Sequence, residues 1–178
     1  MQPGGEGPRI LIVGLGNVLL QDDGVGVHAV RALREDPPLG AVVVEVGVAV
    51  LDALHLIESA DHILAFDAME AGGEPGAVYA FGPKAVAPGG LQVSLHELNM
   101  LAALRFLPPD HPQPKIAILG VEPQTIDYGM ELTPPVQAVL PLLLQAARRQ
   151  VAAWVTEAGG DPEKLPRASW LPRAVALV

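Results

Sequence analysis

Short apolar runs alternate with segments of helical periodicity along most of this chain. The runs are rich in Val, Ile and Leu, which is typical of buried strands. The predicted strands cover residues 9–13, 41–46, 62–66, 77–81 and 115–121. The predicted helices cover residues 24–35, 50–59, 94–106 and 133–157. This alternation favours a three-layer α/β/α fold, with a five-stranded, mainly parallel, twisted sheet and helices on both of its faces.

Length and charge limit the kinds of protein that this chain could be. Its 178 residues, 50% of them hydrophobic, suit a single domain over residues 1–178 with a substantial core. The net charge of −9 disfavours a nucleic-acid partner, which needs a clustered positive patch. No apolar run approaches the roughly 20 residues that span a bilayer, and no secretory signal opens the chain. We therefore expect a cytoplasmic monomer with no membrane partner.

The chain contains no cysteine. Disulfides, thiolate zinc sites and a cysteine nucleophile are therefore excluded. Any metal ion must be bound by His, Asp or Glu side chains or by backbone oxygens.

Several polar residues follow the predicted strands. In an open α/β sheet, ligands bind beyond the carboxyl ends of the strands. The residues expected at that edge are Asp22, Asp23, Glu45, Asp67, His96 and Glu122. Two carboxylates and an imidazole suit a first-row divalent metal ion that polarises a carbonyl or activates water. The sequence therefore predicts a metal site at this edge, formed by Asp22 or Asp23 together with Asp67 and His96.

Each of these residues also has a simpler interpretation. An aspartate before a helix is commonly an N-cap, and His96 could be an exposed first-turn residue. Asp67 is harder to explain in this way, because an acid that ends an apolar strand is costly to bury unless it is paired or coordinated. Gly14-Leu15-Gly16 after the first strand raises a dinucleotide site as a rival. Leu19 stands where that motif needs a third glycine, and the aspartates would repel a pyrophosphate.

Several segments resemble motifs of the nickel–iron hydrogenase maturation endopeptidases. Residues 14–27 have the opening motif G-L-G-N-V-L-L-Q-D-D-G-V-G-V. The further segments are Phe66-Asp67-Ala68, Ser94-Leu95-His96-Glu97-Leu98, Leu119-Gly120-Val121-Glu122-Pro123 and Leu132-Thr133-Pro134, in the family's order. The resemblance covers about residues 9–156 and leaves the tail, 160–178, without a clear counterpart.

This resemblance implies an activity and a partner. Family members are aspartic-type, metal-binding hydrolases that activate another enzyme. They remove a C-terminal extension from the large-subunit precursor of a nickel–iron hydrogenase after nickel insertion. Asp23, Asp67 and His96 match the family's metal-binding and catalytic positions. Nickel is then carried by the substrate, although another divalent ion could occupy the site in the isolated protein.

One segment departs from the family pattern. After the second strand, many members carry an Asp-Gly-Gly-Thr segment implicated in substrate choice, whereas this chain has Glu45-Val46-Gly47-Val48-Ala49. Asp22, Glu45, Gly47 and Glu122 are therefore expected to support the site or to belong to its substrate loop. Two alternatives stay open: a non-catalytic assembly factor that binds the nickel-loaded subunit, and a metal-dependent peptidase with another substrate.

Overall fold

The structure is a computed structural model that describes residues 7–82, 100, 102 and 104–166. The strands are β1 (Ile10–Leu15), β2 (Ala41–Gly47), β3 (His62–Ala68), β4 (Val78–Phe81) and β5 (Lys115–Val121). The helices are α1 (Val25–Glu35), α2 (Leu54–Ser59) and α3 (Pro134–Glu157). Single 3₁₀ turns occupy Gln21–Gly24, Val50–Ala53 and Leu104–Phe106. No helix in the described part of the chain has the length and apolar character needed to cross a membrane.

The five strands form one sheet in the order β2-β1-β3-β5-β4. β1 pairs in parallel with both β2 and β3, and β3 pairs in parallel with β5. Only β4, at one edge, is antiparallel to its neighbour β5. The prediction of a five-stranded, mainly parallel sheet is therefore confirmed.

Successive residues of the central strands face opposite sides of the sheet. Ile10 and Ile12 of β1 join the cluster that contains α1 and α3 residues, whereas Leu11 and Val13 join the cluster that contains α2 residues. This alternation follows from the two-residue period of a strand. Each face of the sheet therefore has its own apolar core, covered by helices, as the three-layer prediction requires.

The structure differs from the sequence prediction in three elements: residues 50–59, β3, and β1, which continues past its predicted end through Gly14 and Leu15. Residues 50–59 form a 3₁₀ turn followed by the short helix α2, rather than one helix. β3 continues through Asp67 and Ala68, because these residues pair with Gly120 and Val121 of β5. The predicted helix over 94–106 lies mostly outside the described residues.

The first part of the tail packs against the domain. Pro166 accepts a hydrogen bond of 3.1 Å from the amide of Gly40, and Leu165 packs against the cluster that contains α1 and α3. Residues 167–178 lie outside the part of the chain that the structure describes.

Candidate functional site

The candidate site lies where the parallel strands end. In the sheet register, Gly14 of β1 pairs with Glu45 on one side and with Phe66 on the other. Asp67 pairs with Gly120, and Glu122 directly follows β5. Glu45, Asp67 and Glu122 therefore lie at the edge formed by the carboxyl ends of the parallel strands, where the loop that carries Asp22 and Asp23 also lies.

Glycines hold that loop tightly against the strand ends. A Cβ at Gly16, whose φ is +111°, would lie 1.8 Å from the carbonyl oxygen of Asp23. A Cβ at Gly26 would lie 2.2 Å from the carbonyl oxygen of Phe66 and 2.4 Å from that of Leu15. Neither position can hold a larger residue without movement of the backbone. The glycines of the opening motif thus bring Asp23 to the end of β1, and the start of α1 to the end of β3.

Asp23 lies in the 3₁₀ turn and is partly exposed. Its Oδ2 accepts a hydrogen bond of 2.8 Å from the amide of Asn17. Helix α1 begins without a side-chain cap, and its N-cap residue is Gly24. The N-cap interpretation of the two aspartates therefore does not apply to α1.

Asp67 is fully buried near the end of β3. Its Oδ1 accepts a hydrogen bond of 2.9 Å from the following amide, of Ala68. This hydrogen bond helps to orient the carboxylate at the end of the strand. A buried carboxylate at the carboxyl end of a parallel strand is a suitable ligand for a divalent cation.

Asp22 has a different environment from its neighbour Asp23. It is fully buried, and its carboxylate accepts hydrogen bonds from Gln124 N (2.9 Å), Thr125 N (3.1 Å), Thr133 N (2.7 Å) and Thr133 Oγ1 (2.7 Å). These donors lie in the loop after β5 and directly before α3. Asp22 therefore ties the first loop to two segments that are more than a hundred residues away in sequence.

Glu122 organises the turn between β3 and β4. Its carboxylate accepts hydrogen bonds from the amides of Ala71 and Gly72 and from the hydroxyl of Tyr79. Burial opposes ionisation of this group, but these hydrogen bonds outweigh it and hold the pKa of Glu122 below its ordinary value. Glu122 thus supports the edge of the sheet through the turn that it binds.

Glu45 forms a bidentate ion pair with Arg31 of α1. The Arg31 Nη2 to Glu45 Oε1 distance is 2.7 Å, and Arg31 Nε to Glu45 Oε2 is 2.9 Å. The hydrogen bonds with Arg31 lower the pKa of Glu45, against a smaller effect of burial. Gly47, with φ +60°, ends β2, and its carbonyl accepts a hydrogen bond of 3.2 Å from Gly16 N. The substituted segment is therefore attached directly to the first loop.

His96 lies outside the described residues, as does the capping box predicted around it. Within residues 7–82, 100, 102 and 104–166, no group of three His, Asp or Glu side chains is placed to hold a metal ion. Because His96 lies outside these residues, this absence does not concern the trio of Asp23, Asp67 and His96. The structure brings Asp23 and Asp67 to one edge of the sheet, and their coordination of a common ion with His96 stays a prediction.

Sequence reasoning missed the partners that fix these carboxylates. Thr133 was predicted only as a helix start, yet its hydroxyl and amide both bind Asp22. Arg31 and Tyr79 were not singled out, although they bind Glu45 and Glu122. No local signal identifies such pairs, because the periodicity of an element reports which face is buried and not which distant side chain it meets.

The fold and its acidic edge define an α/β protein of the kind that binds its ligand beyond the carboxyl ends of parallel strands. Comparison with known proteins gives the family. A family model described as hydrogenase maturation protease matches residues 27–150. The hydrogenase 2 maturation protease of Escherichia coli K12 is 32% identical over 166 residues, which cover 89% of this chain and 96% of that protein. This chain belongs to the hydrogenase maturation protease family.

Solved structures agree with this assignment. The hydrogenase-maturating endopeptidase HybD from E. coli has a TM-score of 0.70 and 29% identity, covering 86% of this chain and 95% of that one. The [NiFe] hydrogenase maturation protease HybD from Thermococcus kodakarensis has a TM-score of 0.69 and 29% identity, covering 80% and 98%. The α/β fold of this chain is therefore that of the HybD-like proteases.

Proposed function

We propose that this protein is an endopeptidase that removes the C-terminal extension of a nickel–iron hydrogenase large-subunit precursor after nickel has been inserted. Membership of the maturation protease family supports the peptidase class. The observation that carries the proposal is the buried carboxylate of Asp67 at the same sheet edge as Asp23. In the proposal, the two aspartates and His96 bind the substrate's nickel and so bring the scissile bond to this edge.

The reaction is hydrolysis of one amide bond. Water adds its hydroxyl group to the carbonyl carbon, the carbon–nitrogen bond breaks, and the leaving nitrogen takes a proton. Either the metal ion lowers the pKa of the attacking water, or a carboxylate of the site accepts its proton as a general base. In the first route the aspartates are metal ligands, and in the second one of them is the general base. On either route the protein would be an aspartic-type, metal-binding hydrolase. Nickel belongs to the substrate in this scheme, so the protease needs no ion of its own.

A cleft beside β2 offers space for the peptide. It has a volume of about 380 Å³, and its lining includes Val48, Leu51 and Phe106. Val48 directly follows Gly47, whose carbonyl binds the first loop. The cleft therefore opens next to the candidate site and suits an extended apolar segment of a protein substrate. We place this reaction in the cytoplasm, with the protease acting as a monomer.

The test is a mass measurement on the precursor. A nickel-loaded and a nickel-free large-subunit precursor are each incubated with the protein, and the mass of the product is recorded. Loss of a C-terminal peptide from the nickel-loaded sample alone is expected. An unchanged mass in both samples, together with retained binding, would favour an assembly factor instead. Cleavage of an unrelated protein by a metal-loaded sample would favour a peptidase of different substrate.

Variants assign the reaction to the site. His96→Ala and Asp67→Asn are expected to lower cleavage of the nickel-loaded precursor by about a hundredfold or more, the scale of a lost catalytic group. Exposed His55→Ala and Asp110→Asn are the matched controls and should cleave like the wild type. Undiminished cleavage by His96→Ala would remove the histidine from the mechanism.

A further inference from the structure

Four large apolar side chains are exposed on two loops next to the candidate site. They are Leu19 (55% exposed), Ile126 (44%), Tyr128 (89%) and Met130 (63%). We call this set the rim platform. Exposure of several large apolar groups together is unfavourable in water and is typical of a surface that binds another protein.

Backbone hydrogen bonds hold the two loops of the rim platform together. Gln21 N donates to the carbonyl of Gly129 at 2.8 Å, and Gly129 N donates to the carbonyl of Leu19 at 3.0 Å. Leu20 and Gly129 form a bridge like that of parallel strands. A Cβ at Gly129 would lie 2.8 Å from Gln21 Cγ, so the loops are in close contact there. The platform is therefore organised before any partner binds, which lowers the entropic cost of association.

The rim platform is continuous with the site. Leu19 and Leu20 lead directly into the 3₁₀ turn that carries Asp22 and Asp23. The same Asp22 carboxylate that stabilises the first loop also binds the amides of Gln124 and Thr125, at the start of the second loop. A protein whose peptide reaches Asp23 would therefore cover the platform as well.

Charge indicates the chemistry of that protein. Residues 17–24 and 124–132 contain no Lys, Arg or His, and their exposed or partly exposed acids are Asp23, Asp127 and Glu131. The apolar groups thus lie among acidic ones. The complementary surface is an apolar patch bordered by Lys and Arg side chains, because opposite charges assist encounter and orientation.

We infer that the rim platform docks the folded body of the precursor subunit, outside the extension that is cut. This inference rests on the proposed function, since it names the second contact of the same substrate. It separates two tasks: the aspartates recognise the metal and hold the scissile bond, and the platform supplies affinity for the rest of the subunit.

Steady-state kinetics with the nickel-loaded precursor test the inference. Tyr128→Ala and Met130→Ser remove platform contacts that do not touch the reacting bond. We expect KM to rise about tenfold or more while kcat stays within about twofold, the signature of lost uniform binding. Leu39→Ala is the control. Leu39 is also a large exposed apolar residue, but it precedes β2 and so lies at the amino ends of the parallel strands, away from the candidate site.

Each outcome decides between the inference and its rivals. A KM rise no larger than that of Leu39→Ala would overturn it, as would a fall in kcat at unchanged KM. Size-exclusion chromatography tests whether a second copy of this chain binds the rim platform instead. A wild-type dimer that Tyr128→Ala converts to a monomer would assign the platform to that second copy.

If the wild type binds the precursor but does not cut it, the proposed function fails. A dissociation constant weakened by Tyr128→Ala, and not by Leu39→Ala, would then still support the docking surface.

Discussion

Asp22 and Asp23 are neighbours in sequence, but their carboxylates have different environments. Asp23 is partly exposed at the candidate site, whereas Asp22 is fully buried and accepts hydrogen bonds from four donors. Hydrogen bonds to an ionised carboxylate are stronger than those between neutral groups. Of this pair of acids, Asp22 therefore holds in place the loop that carries Asp23.

Replacement of Asp22 is expected to destabilise the whole domain. Asp22→Ala would leave the amides of Gln124, Thr125 and Thr133 without their acceptor, and should lower the free energy of unfolding by about 3 kcal/mol or more. Asp127→Ala is the control, because that exposed carboxylate accepts a hydrogen bond only from the next amide among the hydrogen bonds described. Urea unfolding measures both. A loss for Asp22→Ala of no more than about 1 kcal/mol would contradict the role given to this residue.

At the scale of elements, the first turn of α1 is placed by its contact with the strands. Gly26 lies against the carbonyl oxygens of Leu15 and Phe66, closer than any side chain would permit. Val25, Ala29 and Val30 then pack into the core on the same face of the sheet. The helix therefore begins directly on the ends of β1 and β3, and it carries the preceding turn with it.

Gly26→Ala is expected to displace α1 from the sheet. The added carbon would meet backbone on two strands, so the free energy of unfolding should fall by about 3 kcal/mol or more. Cleavage should fall too, because the turn that carries Asp23 would move with the helix. Gly82→Ala is the matched control, since the contact that its Cβ would make among the described residues is with Ile116 O, at the ordinary distance of 3.7 Å. Equal unfolding midpoints for the two variants would rule out this account.

The sequence predicted the elements better than their pairings. β5 has the predicted bounds, since its apolar run is enclosed by Pro114 and by the acid Glu122. The antiparallel direction of β4 was not predicted, because a strand of four residues carries no signal of its orientation. Glu45 was correctly expected near the sheet edge, but its ion pair with Arg31 could be found only once α1 had been placed over β2.

On the scale of the whole molecule, one histidine connects the sheet to the last helix. His62 is buried at the start of β3, and the centroid of its ring lies 4.9 Å from that of Trp154 in α3. Within the described residues, His62 Nδ1 has no hydrogen-bond partner. Burial and the charge of Lys115 lower the pKa of His62, whereas Asp61 and Glu157 oppose that shift.

This histidine should make the protein less stable in mild acid. Because the pKa of His62 is lower in the folded state, the unfolded state binds more protons, and stability is lost as pH falls below about 6.5. We expect the Tm of the wild type to fall between about pH 7.5 and pH 5.5, and to fall less in His62→Phe. His28, whose pKa is also lowered by burial and by Arg31, keeps part of the slope in both proteins.

Exposed His55→Gln is the control for this measurement. Its Tm should follow the wild-type profile, since this exposed side chain on α2 is not buried by folding. A steeper slope for His62→Phe than for the wild type would show that the buried imidazole is better charged than neutral in the fold.

The hydrogen bonds of Asp22 also have a consequence for the order in which the protein is made. Two of its four donors belong to Thr133, which lies 111 residues further along the chain. While the ribosome has not yet supplied that residue, the sheet strands have already been made, but Asp22 still lacks two of its four donors. During synthesis, the candidate site is thus expected to be completed later than the sheet, once Thr133 has left the ribosome.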